Sequence, residues 1–424
     1  RMKVAVVGSG IAGNVAAHHL ASEHQVTVFE AGDHLGGHTH THDIDWQGSR
    51  YAVDTGFIVY NERTYPNFIR LLDRLGVASK PTEMSFSVKC DTSGLEYNGH
   101  SLNSLFAQRR NLFSPSFHRM VRDILRFNRE APATLEDGLA EMPLGDYLAH
   151  CRYSREFIDR YIIPMGAAIW STDPVKMQAF PASFFIRFFM NHGLLELRNR
   201  PRWFVIRGGS REYLKPLSAP YADGIRLHTP VERIRRLPIG VEIHTRRHGA
   251  EFFDAVFIAT HSDQALRMLA DPTPAERSVL GQLGYQQNEA VLHTDESVMP
   301  LSRRAWASWN YHLQSGRESV ALTYDMNRLQ GIDAPARFLV TLNNSDAIDP
   351  RKIIRRMVYE HPVITPGSVT AQGRRDEISG HNRTYYCGAY WRNGFHEDGV
   401  VSALQALDEF AQEQHAVSSL RRAS

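Results

Sequence analysis

Three glycines near the start of the chain have the spacing of a dinucleotide-binding turn. Gly8, Gly10 and Gly13 follow a short apolar run and precede an alanine-rich stretch. In such a turn the first glycine makes a tight bend, the second lets the backbone approach a pyrophosphate, and the third allows close helix packing. The phosphates then lie at the helix N-terminus, which carries partial positive charge. We therefore predict a phosphate site at Gly8, Gly10, Ile11, Ala12 and Gly13.

The elements around these glycines complete the pattern. Lys3 to Val7 predicts a buried parallel strand, a helix follows the glycines, and Gln25 to Phe29 predicts a second strand that ends at Glu30. Strand, glycines, helix, strand and acid in this order predict a unit in which Glu30 accepts hydrogen bonds from a ribose diol. Because the same carboxylate would repel a 2′-phosphate, FAD or NAD is favoured over NADP.

The composition of the chain argues against several other classes of protein. Of 424 residues, 48 are Lys or Arg and 46 are Asp or Glu, a balance too even for a dedicated nucleic-acid binder. Three separated cysteines provide neither a disulfide framework nor metal-ligand spacing, which favours a reducing, cytoplasmic location. The sequence contains no apolar run long enough to span a membrane. The feature left to explain is the 21 histidines, four of which lie within residues 34–42.

A second glycine pair lies just beyond Glu30. The stretch around it resembles the E-A-x-x-R-x-G-G-R segment of the flavin-containing amine oxidoreductase superfamily. The resemblance implies that backbone N–H groups of this stretch approach the phosphates of FAD. The cofactor-binding residues that it implies are Ala31, Gly36, Gly37, His38 and Thr39.

Histidines replace both arginines of that family pattern. His34 and His38 occupy the arginine positions, so pH-sensitive groups stand where relatives have permanent cations. For His40 and His42 a histidine-rich surface loop is the alternative. A zinc site made by these four histidines is disfavoured because no Cys or HExxH frame accompanies them, and we assign no metal ligand.

The resemblance extends to further segments of the chain. Residues 53–58 resemble a D-x-G segment that passes beside the flavin ring, Val231 lies in a strand like the one that holds the adenine, and residues 259–261 match a turn that closes the nucleotide-binding half. A C-terminal strand and the start of the following helix are implied to approach the ribityl chain and the flavin, although Ala389 replaces the usual Asp. The implied contacts are Thr55, Gly56, Phe57, Ile58, Val231, Ala259, Thr260, Gly388, His396, Asp398, Gly399 and Val400.

These segments together imply an α/β fold. We expect a Rossmann-type FAD-binding domain, with a parallel sheet and a β-meander, and an inserted α+β substrate domain. The FAD-binding domain is predicted to be discontinuous, from residues 1–60, 205–265 and 381–415. The substrate domain takes residues 61–204, mostly helical in pattern, and residues 266–380, where an antiparallel sheet is expected. Residues 416–424 are predicted to form a small, polar, frayed tail.

Several stretches resemble one bacterial subgroup of this superfamily more closely. The matching stretches are residues 54–63, 164–171, 307–311 and 394–399. That subgroup is described as NAD/FAD-binding proteins and is associated with cyclopropane-fatty-acid synthase-like methyltransferases. The resemblance implies an acyl-lipid or other hydrophobic small-molecule substrate and a methyltransferase partner.

Residues 103–129 form a basic stretch with interleaved aromatic and aliphatic side chains. Six arginines stand there against one acid, Asp123. Such a stretch can lie on an anionic membrane surface, at the inner face of the membrane, or it can be a solvated helix face over an ordinary core. The phenylalanines of residues 184–190 can likewise line an apolar tunnel or pack as core. Nucleic acid is the weaker explanation, since no stacking module is visible.

The leading functional hypothesis is an FAD-dependent oxidoreductase that oxidises or desaturates a modified fatty acyl chain. A proton must leave during desaturation, and His396 and Glu397 are the predicted catalytic bases because they are expected to lie closest to the flavin. Amine oxidation, a redox-neutral isomerisation and a non-catalytic flavoprotein that binds a lipid methyltransferase stay open. Covalent attachment of the flavin through Cys387 is disfavoured because that residue lies in a predicted buried strand.

Overall fold

The computed structural model describes residues 1–99, 107–170, 172–191, 200–314 and 321–423. Residues 103–106, the beginning of the basic stretch, lie outside these ranges. The described residues form five β-sheets with helices around them.

The strands are numbered in chain order. They are β1 (Lys3–Val7), β2 (Gln25–Phe29), β3 (Thr41–Trp46), β4 (Ser49–Asp54), β5 (Val59–Asn61), β6 (Ser79–Thr82), β7 (Phe86–Cys90), β8 (Glu96–Asn98), β9 (Trp203–Ile206), β10 (Ile225–Arg226), β11 (Val231–Leu237), β12 (Gly240–Thr245), β13 (Gly249–Phe253), β14 (Ala255–Ile258), β15 (Gly284–His293), β16 (Trp309–Leu313), β17 (Ala321–Asp325), β18 (Leu339–Leu342), β19 (Ile353–Val363) and β20 (Thr384–Tyr386).

The helices connect these strands and form a separate layer between β8 and β9. They are Ile11–Leu20, Pro66–Leu75, Pro115–Glu130, Leu144–His150, Arg155–Phe157, Ile163–Trp170, Pro174–Gln178, Ala182–Asn191, Leu214–Ser218, Ser262–Met268, Pro274–Leu280, Met326–Gln330, Pro366–Gln372 and His396–Ala423.

A five-stranded parallel sheet contains the two strands, β1 and β2, that flank the glycine turn and its helix. Its order is β10-β2-β1-β14-β20, and each neighbouring pair runs parallel. Side chains alternate between two cores: Val4 and Val6 pack beneath the helix Ile11–Leu20, whereas Ala5 and Val7 face the meander. Apolar residues therefore occur at successive positions because both faces of the sheet are covered. The predicted α/β fold with a parallel sheet is confirmed.

The strands of this sheet come from three distant parts of the chain. Strands β1 and β2 lie near the start, β10 and β14 flank the antiparallel meander β11-β12-β13, and β20 lies close to the end. The parallel sheet is therefore assembled from separated segments. The domain boundaries themselves stay a prediction.

A seven-stranded sheet lies apart from the parallel one. Its order is β19-β15-β18-β17-β16-β7-β8, and neighbouring strands run antiparallel except for β16 and β7. Strands β7 and β8 come from the first predicted insertion and the other five from the second. The sheet thus joins strands from both predicted insertions.

The helical layer packs around aromatic side chains. Phe127, Phe157 and Phe185 are fully buried there, and the ring centroids of Trp170 and Phe188 are 4.6 Å apart. The phenylalanines around residue 185 therefore pack as core, the commoner of the two alternatives for such a run.

The last helix, His396–Ala423, is longer than its apolar pattern predicted. Its first half packs on the helix Ile11–Leu20, while the side chains after Phe410 are almost all exposed. Residues 416–423 continue this helix as an exposed end, and fraying of this tail stays a prediction. Among the described residues, no helix is both long enough and apolar enough to cross a membrane.

Candidate functional site

The glycine turn is held by backbone contacts that leave no room for side chains. Gly8 has a φ of +102°, and a Cβ there would lie 2.8 Å from the Ala259 carbonyl oxygen. A Cβ at Gly13 would lie 2.0 Å from the Gly8 carbonyl oxygen, so only glycine permits this approach of helix and strand. Gly10 differs, because no described atom lies within 4 Å of the position that its Cβ would take. The backbone at Gly10 therefore borders open space, as a pyrophosphate requires.

The helix Ile11–Leu20 begins directly at this open space. Within the described chain no side chain caps it at Gly10, and its first turn contains no acidic residue. Ile11 and Ala12 are buried by neighbouring apolar groups, so their backbone and not their side chains can serve a ligand. The amide groups of the first turn and their partial positive charge fit a phosphate.

Glu30 follows β2 and turns back toward the glycine turn. Its Oε1 accepts hydrogen bonds from the Ser9 hydroxyl (2.5 Å) and the Ser9 amide (3.3 Å), and its Oε2 accepts from the Gly32 amide (2.8 Å). A carboxylate has further lone pairs, so a ribose hydroxyl can still donate to it. Ala31 is exposed beside it. The acid is thus held at the place where a ribose next to the phosphates would lie.

The second glycine pair crosses over the first. Gly36 has a φ of +123° and donates its amide to the Ser9 carbonyl oxygen (2.8 Å). Gly37 has a φ of +59°, and a Cβ there would lie 3.1 Å from the Gly10 Cα. The structure therefore brings the two predicted glycine segments into contact.

The segment after β4, residues 55–58, packs against the loop that contains His38. A Cβ at Gly56 would lie 2.0 Å from the His38 carbonyl oxygen, and the Phe57 amide donates to that oxygen (2.6 Å). Thr55 and Ile58 are buried on either side. The predicted contacts of residues 36–39 and 55–58 thus form one continuous surface.

Asp54 fastens this surface to two distant parts of the chain. Its carboxylate accepts from the hydroxyls of Thr41 (2.6 Å) and Ser210 (2.7 Å), and its amide donates to the Gln330 side chain (3.0 Å). Burial raises the pKa of Asp54 to about 6. Sequence reasoning did not assign this fastening role, because the partners are far apart in the chain.

Three histidines of the loop pack side by side. The rings of His34 and His40 stack with centroids 3.9 Å apart, and that of His42 lies 4.2 Å from His40. His40 Nδ1 lies 2.9 Å from the Tyr359 hydroxyl, and His42 Nε2 lies 2.9 Å from Thr55 Oγ1. Burial, followed by the neighbouring charged groups, lowers the pKa of both His40 and His42 to about 4. The His40 and His42 rings are therefore neutral at neutral pH.

His38 faces a second group of rings. Its centroid lies 5.1 Å from that of His361 and 5.4 Å from that of Tyr359. Burial and then the neighbouring His261 lower its pKa to about 4. The position predicted to provide a pH-sensitive phosphate partner therefore holds a neutral imidazole, and a phosphate at the glycine turn would rely on backbone amides.

A grouping that could hold a metal ion occurs outside the loop. Among the described residues, the ligand atoms of His261, Asp263 and Glu360 lie within 4.8 Å of one another. His261 Nδ1 lies 3.2 Å from Glu360, and Asp263 lies 3.8 Å from Arg267. This grouping does not include the four loop histidines weighed from the sequence.

His396 begins the last helix and is enclosed by three other segments. Its ring stacks on Phe57 with a centroid distance of 3.7 Å, and its Nε2 lies 3.0 Å from both Thr39 Oγ1 and the Tyr213 hydroxyl. Burial, with a smaller contribution from His38, lowers its pKa to about 3. An imidazole of so low a pKa is a poor proton acceptor at neutral pH, so the predicted role of base is disfavoured. Its position against the Phe57 segment agrees with the predicted cofactor surface.

Glu397 supports a different helix. Its Oε1 accepts from the backbone amides of Asn67 (2.7 Å) and Phe68 (2.8 Å), and its Oε2 accepts from the Asn67 side chain (3.0 Å). It thereby caps the helix Pro66–Leu75, whose own N-cap residue Tyr65 makes no side-chain capping bond in the described structure. Burial raises the pKa of Glu397, and these donors oppose the rise. Proton transfer by Glu397 stays a prediction, and capping is the role that its contacts show.

The other residues of this helix start pack against the glycine turn. A Cβ at Gly399 would lie 2.6 Å from Cγ2 of Ile11, and Val400 is buried. Asp398 accepts from the Phe395 amide (3.0 Å), and burial raises its pKa to about 6. The starts of the first and last helices therefore meet, and both can face one ligand.

The remaining predicted contacts lie along the parallel sheet. The Ala259 amide donates to the Val7 carbonyl oxygen (2.8 Å), which holds Thr260 beside Gly8. Val231 begins the meander. The Gly388 amide donates to the Ser402 hydroxyl (2.8 Å).

Cys387, the residue before Gly388, is fully buried, and burial raises its pKa to about 12. The thiol is thus kept protonated, which disfavours covalent attachment of a flavin.

A cavity of about 660 Å³ adjoins the start of the last helix. The glycine turn does not line it. Its wall combines apolar with ionisable side chains, among them Tyr65, Met190, Phe395, Arg392, Glu397 and Asp398.

Sequence reasoning missed the two tyrosines of this region. Tyr213 and Tyr359 bring hydroxyl groups to His396 and His40 from elements that are distant in the chain. Tyr213 lies in an amphipathic stretch and Tyr359 in a strand, and both patterns predict ordinary packing. No local signal distinguishes them.

These features define a class of protein. A parallel sheet, a glycine turn open to phosphate, and a carboxylate after the second strand are the parts of a Rossmann-type dinucleotide site. The family follows from comparison with known proteins, since residues 11–333 match the family described as flavin containing amine oxidoreductase. The chain belongs to this family and is an FAD-dependent oxidoreductase.

Individual similar proteins include one from sequence and two from structure. A segment of 82 residues is 38% identical to the flavin-dependent L-tryptophan oxidase RebO of Lentzea aerocolonigenes, and it covers 19% of this chain and 17% of that protein. The match thus spans less than a fifth of that relative. Cyclohexylamine oxidase from Brevibacterium oxydans IH-35A has a TM-score of 0.70 at 15% identity, over 98% of this chain and 99% of that one. A CLA-producing fatty acid isomerase from P. acnes has a TM-score of 0.67 at 17% identity, over 96% and 98%. At these identities, the structural likeness shows the fold.

Proposed function

We propose that this flavoenzyme oxidises or desaturates a hydrophobic substrate, a modified fatty acyl chain. The observation that carries the proposal is an aromatic wall between the helical layer and the last helix. The ring of Phe188 stacks on Phe395 with centroids 5.3 Å apart, and Phe395 also lines the cavity. Because His396 follows Phe395 directly, an apolar chain lying along this wall would reach the surface formed by Phe57 and His396.

FAD supplies the hydride-accepting chemistry when bound. The residues of the chain would bind and orient: the glycine turn and Glu30 would hold the nucleotide part, and the aromatic wall would lie against the substrate. His396 is kept neutral by burial and can donate or accept a hydrogen bond without adding charge. The neighbouring hydroxyls of Thr39 and Tyr213 fix the direction of that bond.

Two further observations support an acyl substrate. Part of the cavity wall, formed by Tyr65, Met190 and Phe395, suits a flexible apolar chain, whereas most of the remaining lining is polar or charged. One protein of the same fold is by name a fatty acid isomerase. We extend that chemistry to this chain as part of the proposal, together with the expectation of a lipid methyltransferase as partner.

Amine oxidation is the second candidate function. The carboxyl groups of Glu397 and Asp398 both line the cavity, and carboxylates complement an ammonium group. Another protein of the same fold is by name a cyclohexylamine oxidase.

Anaerobic reduction of the purified flavoprotein tests the two functions. Cyclopropane, methyl-branched and unsaturated fatty acids form one set of compounds, and polyamines with cyclic amines form the other. We expect bleaching of the flavin absorbance by acyl compounds, with a product two hydrogens lighter by mass spectrometry. Bleaching by amines alone would replace the proposal with the amine alternative.

A variant pair links the result to the aromatic wall. We expect Phe395→Ser to raise KM for acyl compounds, whereas Ile239→Ser, a change at an exposed turn, leaves it unchanged. An acyl product formed without bleaching or an electron acceptor would assign a redox-neutral isomerisation instead. If neither set bleaches the flavin and a methyltransferase co-purifies, the non-catalytic role is favoured.

A further inference from the structure

A short turn before the helix Pro115–Glu130 exposes large apolar side chains. Phe113 is 87% exposed, and the neighbouring Leu112 is 45% exposed. On the helix, Leu125 is 47% exposed. Isolated exposed apolar residues are ordinary, but a grouped set on one face marks an interaction surface.

The helix itself has two distinct faces. Phe117, Met120 and Phe127 are buried against the core. On the opposite side Arg122 and Arg129, seven positions apart, flank Leu125. Residues at this spacing share one side of a helix, so apolar and basic groups point to solvent together.

The charge of this surface is one-sided. We call it the basic–apolar face and define it by Arg109, Arg110, Leu112, Phe113, His118, Arg122, Leu125 and Arg129, all of which are exposed.

Acidic groups around this face do not balance its arginines. Asp123 is buried, at 1% exposure, and lies against Arg126 and Arg122. Glu156 pairs with Arg119 at 2.9 Å, and Glu130, an exposed carboxylate at the end of the helix, pairs with Arg129 at 3.3 Å, so that the described residues 107–130 contain six arginines and two acids.

The turn that presents Phe113 is fixed by hydrogen bonds. Arg110 donates to the Gly94 carbonyl oxygen (2.8 Å), and His118 Nε2 lies 2.7 Å from the Leu112 carbonyl oxygen. Ser114 caps the helix by accepting from the Phe117 amide (3.3 Å). The apolar side chains are therefore held outward by an ordered turn.

We propose that the basic–apolar face docks this protein on an anionic phospholipid surface. Phe113 and Leu112 would enter the interfacial region while the arginines lie at the level of the headgroup phosphates. We favour an anionic lipid surface because arginines flank the exposed apolar residues, whereas Glu130 is the one exposed carboxylate among the described residues 107–130. The inference goes beyond the proposed function, because it concerns where the enzyme sits and not the reaction.

Sedimentation of the FAD-loaded protein with vesicles tests the inference. The vesicles are phosphatidylcholine alone or phosphatidylcholine mixed with phosphatidylglycerol. We expect binding to the mixed vesicles only, and a loss of binding as salt is raised. Arg122→Gln should weaken binding roughly fivefold, and Phe113→Ser about tenfold or more.

Matched controls lie far along the chain on the β-meander. Ile239→Ser removes an exposed apolar side chain and Arg246→Gln removes an exposed charge, and neither should change vesicle binding. All variants should keep their flavin spectrum and melting temperature. Equal binding to both vesicle types would overturn the proposal, and so would equal weakening by the control and face variants. Binding that a single-stranded oligonucleotide displaces fully, with no residual response to Phe113→Ser, would assign the face to nucleic acid instead.

Discussion

Two helices begin beside the last helix, and a described side chain caps the N-terminus of only one of them. At Ile11–Leu20 no described side chain caps the first turn. At Pro66–Leu75 Glu397 supplies its carboxylate from 330 residues away. The first amides of any helix lack hydrogen-bond partners within the helix. In Ile11–Leu20 no described side chain accepts from these amides, so they can bind a ligand, whereas in Pro66–Leu75 they donate to Glu397 and stabilise the fold. The difference shows which of the two N-termini is available to an anionic cofactor.

The largest expected effect is at the uncapped helix. Gly13→Ala would place a Cβ 2.0 Å from the Gly8 carbonyl oxygen, so the helix and β1 cannot keep their present approach. We expect loss of FAD binding together with a strongly lowered melting temperature. Absorbance of the purified variant and calorimetry measure both.

Gly10→Ala is the matched control. Its Cβ meets no described atom within 4 Å, and its φ of −71° suits alanine. We expect an unchanged melting temperature of the FAD-free protein with a weaker affinity for FAD. Unchanged affinity would show that the open space at Gly10 does not belong to the phosphate.

The second effect is at the capped helix. Glu397→Ala removes the acceptor from the amides of Asn67 and Phe68, and we expect a loss of about 1–3 kcal/mol in unfolding free energy. Urea denaturation measures this loss. Glu397→Gln keeps one acceptor oxygen and should recover part of it. A variant that is as stable as the native protein but has lost kcat would instead support proton transfer by Glu397.

The third effect depends on pH and concerns His396, which lies between the two helices. Burial lowers its pKa to about 3 from 6.5, so the unfolded chain binds a proton between these pH values while the folded chain does not. Stability from this group is complete above pH 6.5 and is lost as the pH falls toward 3.

His396→Gln should remove this dependence. We expect its unfolding free energy to decline less steeply below pH 6.5 than that of the native protein, by about 1.4 kcal/mol for each pH unit. Parallel declines in urea titrations at several pH values would contradict a neutral, buried His396.

The smallest effect is at Ser9, which ties Glu30 to the glycine turn. Ser9→Ala removes the hydroxyl donor and leaves the amide donor at 3.3 Å. We expect FAD affinity to fall by about tenfold or less, as for one net hydrogen bond. Titration calorimetry measures it, and Glu30→Gln should have the larger effect because it removes the charge as well.

The sequence predicted best where the physics is local. β1, the glycine turn, β2 and Glu30 follow one another within about thirty residues, and each has its own pattern. The site residues that escaped prediction, or were given another role, depend on partners brought together by folding. Glu397 was predicted to be a catalytic base. Its capping role could not be predicted because its partner Asn67 lies 330 residues away in the chain. Asp54 and Tyr359 escaped for the same reason.

The parallel sheet has a consequence for how the protein is made. Its strands β1 and β2 are synthesised before β14, and β20 and the last helix are synthesised after it. The central strand β1 can therefore pair with β14 only after β14 has been synthesised. The start of the helix after the glycine turn can pack against Gly399 only later still. Domains with such distant pairings fold late and expose apolar surface meanwhile. The parts of the candidate cofactor site therefore come together only after the last helix has been translated.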